Sequence, residues 1–84
     1  MLVELMVFQI GMGKSWDKNL AEVEAIVRSS TLSYHLTPLS VRIEGNWDEI
    51  MTVARQVHEQ ACLNSQYVMT AIQIEDGDPA SIRV

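Results

Sequence analysis

Apolar and polar positions alternate along this chain with two distinct periods, and the switches between them mark six elements. Leu2 to Ile10 is an apolar run rich in Val, Phe and Ile, interrupted by Glu4 and Gln9 and stopped by Gly11-Met12-Gly13. It reads as a strand followed by a loop. Trp16, Leu20, Val23 and Val27 then recur at helical spacing, with Ser15 placed to cap the helix and Ser29-Ser30-Thr31 to end it. Leu32 to Thr37 alternates with period two, Pro38 closes it, and Ser40 to Glu44 alternates again through Val41 and Ile43, which predicts a hairpin. After Gly45, Asn46-Trp47-Asp48-Glu49 has the form of a capping box. Ile50, Val53, Ala54, Val57 and Ala61 supply the buried stripe of a second helix, which reaches about Leu63. Tyr67 to Glu75 is the last full strand, Asp76-Gly77-Asp78-Pro79 a turn, and Ser81 to Val84 a short edge segment or a frayed end.

The order β-α-β-β-α-β with right-handed crossovers predicts an α+β, ferredoxin-like sandwich. Its antiparallel four-stranded sheet carries two helices on one face. The 84 residues form a single domain spanning positions 1–84, with no internal repeat or linker. Strand parity has a further consequence. In the first strand Val3, Leu5 and Val7 point one way, and Met6, Phe8 and Ile10 the other. In the last strand Val68, Thr70, Ile72 and Ile74 oppose Tyr67, Met69 and Ala71. Two helices cover one face only, so apolar residues on the other predict burial against another copy, as a dimer or a higher oligomer.

Composition changes this picture in a few places. Eleven acidic residues against 6 basic ones give a net charge of −5, which argues against nucleic acid or an anionic membrane as partner and favours cations. No run approaches the roughly 18 apolar residues of a membrane span. The first strand lacks the basic start and cleavage site of a signal peptide, and a lone cysteine, Cys62, fits a reducing cytoplasm. Cys62 itself is expected to fill core or near-core space.

Known chemistries of this fold can be tested residue by residue. The first loop has no thiol pair for a metal chaperone, and Lys14 is its one base, where an acylphosphatase-like site needs arginine. Phe8 alone does not make an RNA-binding platform. His58-Glu59 invites an acid/base reading, against a structural or solvent-facing histidine; His35 fits a surface or subunit contact. Tyr34, Thr37, Ser40 and Glu44 share the hairpin, where a hydroxyl and a carboxylate brought close together could read an aminopyrimidine, against a merely exposed hairpin face. Trp16 and Trp47 stand at helix starts, as core staples or as stacking surfaces.

The string Tyr34-His35-Leu36-Thr37-Pro38-Leu39-Ser40, followed by Ile43-Glu44-Gly45 and Asp48-Glu49, resembles the small thiamine-binding-protein family, whose pattern runs Y-x-L-T-P-M-G-T-x-I-E-G-x-x-D-E. Glu4, Gly11-x-Gly13, Ala21-Glu22, His58-Glu59 and Thr70-x-Ile72-x-Ile74-Glu75-Asp76 find counterparts in order, so the likeness covers nearly the whole chain. Ser40 stands where the family often has glycine, Val41 where it often has a hydroxyl residue, and Tyr67 where arginine is common. The resemblance implies a cytoplasmic, non-enzymatic, sheet-to-sheet oligomer that binds thiamine or its hydroxymethylpyrimidine portion, with no cofactor. Asn19, Thr37, Ser40, Glu44 and Thr70 would supply polar contacts, and Tyr34 or Trp16 a stacking surface. The alternatives are a structural or regulatory oligomer without thiamine binding, and a small acid/base enzyme.

Overall fold

The computed structural model describes residues 1–10, 16–63, 65–78, 80 and 82, without the side chains of residues 10 and 16–19. The six elements are β1 (Leu2–Ile10), α1 (Trp16–Ser29), β2 (Ser33–Leu36), β3 (Val41–Glu44), α2 (Trp47–Cys62) and β4 (Tyr67–Glu75). The sheet order is β2-β3-β1-β4, and every neighbouring pair is antiparallel. This is the split β-α-β arrangement expected of a ferredoxin-like fold. The hairpin strands are shorter than their alternation suggested, because Leu32, Thr37 and Ser40 lie outside the ladder. The loop at residues 11–13 and the proposed Ser15 cap lie outside the described residues, as does most of the 81–84 segment; Ile82 is exposed and outside any strand.

The parity of β1 decides the core. Val3 and Leu5 are fully buried and Val7 nearly so, packed with Val23 and Val27 of α1, Val41 and Ile43 of β3, and Ile50, Val53, Ala54, Val57 and Ala61 of α2. The α2 stripe is the one its spacing predicted. Asn46 caps that helix, its Oδ1 accepting the Glu49 N–H at 2.9 Å, while Asp48 and Glu49 sit favourably at the positive end of the helix. At the other end Gln9 Nε2 donates to the Ala61 carbonyl at 3.1 Å, satisfying one of the terminal acceptors and tying α2 to β1.

α1 ends differently. Ser29 and Ser30 hydroxyls donate back to the Ala25 and Val27 carbonyls, and Thr31 adopts a left-handed φ of 62°. A β-branched residue there is strained, since the region suits glycine. The strain is held by the Thr31 N–H donating to the Arg28 carbonyl and the Leu32 N–H to the Ser30 hydroxyl.

Candidate functional site

The antiparallel register lays the open face of the sheet out in rows. One end reads Ser33–Glu44–Leu2–Glu75, and the next row His35–Arg42–Glu4–Gln73, with an Arg42–Glu4 ion pair at 3.7 Å. Further along β1 the rows turn apolar, Met6 beside Ala71 and Phe8 beside Met69. Phe8, Met69 and Tyr67 are 48%, 49% and 58% exposed. The bare face is therefore split, acidic and polar at one end and apolar at the other.

At the polar end two adjoining hollows share Leu2, Ser33 and Glu44. One, of about 570 Å³, is also walled by Met1, Gly45, Glu75, Asp76 and Gly77. The other, of about 220 Å³, reaches Tyr34, His35 and Arg42. Volumes of this order suit a small ligand. Glu44 and Glu75 flank Leu2 on the two strands that neighbour β1, which places their backbones about 10 Å apart, two strand spacings. Neither carboxylate has a hydrogen bond or ion pair among the described residues, whereas Asp76 lies 3.9 Å from the Met1 amino group. Backbone geometry holds the cleft: the Gly45 N–H donates to the Met1 carbonyl at 3.1 Å, and Gly77 turns the chain with a φ of +93°. Two free carboxylates above an apolar floor can receive a flat cation. A further hollow of about 430 Å³ lies between the helices, lined by Ile26, Leu32, Asp48, Glu49, Thr52 and Gln56 among others.

The residues singled out in the sequence do not converge. Thr37 and Ser40 close the hairpin turn, and Ser40 is buried. The Thr37 Oγ1 lies 2.7 Å from Ser40 Oγ and accepts the Ser40 N–H at 2.9 Å. Glu44 is at the far end of β3, paired with Ser33, roughly 13 Å from Ser40 at about 3.3 Å per residue. The expected meeting of a hairpin hydroxyl with the Glu44 carboxylate is thus corrected: register, not membership of one hairpin, decides proximity. Tyr34 pairs with Ile43 and packs, half-buried, on the core side, touching the cleft only from the sheet edge. Thr70 pairs with Val7 on the helix-bearing face, five residues along β1 from Leu2. The side chains of Trp16 and Asn19 lie outside those described. Glu75 and Asp76 were not singled out as site residues, although the family-like segment from Thr70 to Asp76 and the acidic balance both pointed to them, and only the pairing of β1 with both β3 and β4 brings them to Glu44.

Two other expectations are corrected, and one alternative reading is set aside. Trp47 is 55% exposed and staples no core. Cys62 is exposed rather than a core filler, because it lies one residue past the last buried position of the stripe. His58 and Glu59 do not act together: neighbouring helical residues diverge, so Glu59 pairs with Arg55 at 2.9 Å while His58 turns to Thr70. His35 is exposed on the open face. Among the described residues no three His, Cys, Asp or Glu side chains converge on a metal position, and no helix is long and apolar enough to cross a membrane.

The model of the thiamine-binding protein family matches residues 3–81. The chain belongs to that family. Solved structures share its fold. A hypothetical protein of Methanocaldococcus jannascii superposes with a TM-score of 0.82 at 18% identity, over 93% of this chain and 80% of that one. A Streptococcus pneumoniae protein gives 0.80 at 23%, over 96% and 90%. A Thermotoga maritima protein, named provisionally for thiamine biosynthesis or salvage, gives 0.76 at 16%, over 99% and 88%. No curated protein matches the chain.

Proposed function

We propose that this thiamine-binding-family chain binds thiamine or its hydroxymethylpyrimidine portion, without transforming it, in the acidic cleft at the end of the sheet. The observation that carries the reading is the pair of carboxylates, Glu44 and Glu75, on either side of Leu2, which have no hydrogen bond or ion pair among the described residues. Thiamine brings a cationic ring for one and an aminopyrimidine for the other; a carboxylate accepts from the exocyclic amine. A unit charge about 4 Å from a carboxylate gains on the order of 1 kcal/mol in water and about 4 kcal/mol at a partly shielded surface.

The same reading includes a cytoplasmic homodimer or homotetramer formed through the open face. The apolar rows of Met6, Phe8 and Met69 favour a second copy there, and that copy would roof the cleft, since Leu2, Glu44 and Glu75 share the face. Neither nucleic acid nor membrane is a partner in this reading, because the net charge is −5. Binding without turnover is supported by the acid/base pairs: Glu59 is engaged by Arg55, and Tyr34 and Glu44 stand on opposite faces of β2 and β3. Of the remaining candidates, Trp16 and Asn19 stay with the binding role, and Thr37, Ser40 and Thr70 are better explained by structural contacts.

Thermal denaturation tests the proposal. Ligand at 100 times Kd adds about 2.7 kcal/mol, a rise of roughly 10–20 °C in Tm for a domain of this size. Glu44→Gln should remove most of that rise while leaving the unliganded Tm within about 2 °C. No rise with millimolar thiamine or hydroxymethylpyrimidine would refute it.

A further inference from the structure

A second constellation lies on the other side of the sheet, at the groove between α2 and β4. Cys62 ends α2 with its thiol exposed, and its Sγ is 3.5 Å from Nε2 of His58, one helical turn earlier. The other ring nitrogen, Nδ1, is 2.5 Å from Oγ1 of Thr70 on β4. The imidazole is half-buried between helix and sheet edge, and the last turn that carries Cys62 is pinned by the Gln9–Ala61 hydrogen bond. Thiol, imidazole and hydroxyl therefore stand in the order that activates a nucleophile: a base within reach of it, and a third group that orients the base. In the tautomer with the proton on Nδ1, Thr70 accepts that proton's hydrogen bond and Nε2 presents its lone pair to the thiol. Glu59, the nearest carboxylate in sequence, does not compete for His58, because Arg55 holds it on the outer face. On the same face of β4, Ile72 and Ile74 are 41% and 44% exposed, an apolar floor beyond Thr70.

We propose that Cys62 is a base-assisted thiol that captures small organic disulfides by thiol–disulfide exchange. The Cys62 sulfur attacks one sulfur of the disulfide along the S–S axis, and His58 Nε2 takes the thiol proton. A new bond forms between Cys62 and the attacked sulfur, and the old S–S bond breaks. The departing thiolate receives the proton from His58 and leaves as a thiol. One disulfide is consumed, and one mixed disulfide and one thiol are formed, with no further oxidant. His58 is the base and Thr70 a positioning residue.

Cys62 is the only cysteine in the sequence, so a chromogenic disulfide reads it alone. The probe is dithiodipyridine, a neutral aromatic disulfide, in excess over the full chain at neutral pH, with mass spectrometry to confirm one mixed disulfide per chain. The folded protein should react at least tenfold faster than the same protein unfolded in urea. His58→Gln should lose at least tenfold in rate; Thr70→Val should lose severalfold, and Thr70→Ser should restore it, all with unchanged far-UV circular dichroism. A His58→Gln rate within twofold of the parent overturns the proposal. Should that variant fail to fold, a folded parent no faster than its unfolded form overturns it equally.

Discussion

Replacing Thr37 by Val keeps the β-branched shape and deletes one hydroxyl. That hydroxyl contacts Ser40 Oγ at 2.7 Å and accepts the N–H groups of Ser40 at 2.9 Å and Leu39 at 3.3 Å. Ser40 is 2% exposed, so water cannot replace what its hydroxyl loses. Leaving a buried polar group unpaired costs about 1–3 kcal/mol, whereas an ordinary hydrogen bond contributes about 0.5–1.5 kcal/mol. Thr37→Val should therefore cost about 2–4 kcal/mol, out of a total stability of about 4–13 kcal/mol for a chain of this length. Ser40→Ala removes a group but strands none, because Thr37 keeps its backbone partners; it should cost about 0.5–1.5 kcal/mol. The double variant should be more stable than Thr37→Val alone, since the alanine takes away the stranded hydroxyl. Urea titrations of the four proteins give the cycle, and melting curves should show a fall of roughly 10–25 °C for Thr37→Val. A cost for Ser40→Ala equal to that of Thr37→Val, or a double variant weaker than both, would refute the assignment of this pair to the turn.

Other outcomes follow from the same geometry. Asn46→Ala should cost about 1 kcal/mol by removing the cap on Glu49, and Asn46→Asp should cost little, as read by urea unfolding. Thr31→Gly should stabilise the fold by about 1 kcal/mol by relieving the left-handed strain at φ 62°, and an unchanged midpoint would count against that strain. Ile50→Ala, at a site with no exposure, should cost about 2–5 kcal/mol. On the proposed open-face assembly, the parent should scatter as a multiple of 9.5 kDa and Phe8→Lys or Met69→Lys as a folded protomer of about 9.5 kDa; a parent of protomer mass would refute the assembly, and a variant of unchanged larger mass would place the interface elsewhere.

Local physics made most of the fold legible. The apolar run of β1 and the turn-bounded span of β4 are read to the residue, and the 3.6-residue stripe of α2 names its five buried positions, because these patterns depend only on the local chain and on how a helix presents its own side chains. Asn46 declares its helix for the same reason: the capping oxygen and the N–H it serves are three residues apart. The hairpin was legible as two strands, but its polar residues were grouped by nearness in sequence. Thr37 and Ser40 proved to be a turn, while Glu44 faced another part of the molecule.

What the sequence by itself determined is the set of elements, their order and the face that α2 buries. Only the tertiary structure decided that Glu44 and Glu75, thirty-one residues apart, flank the same leucine, because that depends on β1 pairing with two strands at once. It alone turned His58 away from Glu59 toward Thr70 and Cys62. It also left Ile72 and Ile74 exposed despite their core-facing parity, for β4 is an edge strand and has a neighbour on one side only. The physical reason is common to all three: periodicity fixes the direction in which a side chain leaves its own backbone, and register and packing fix what it meets there.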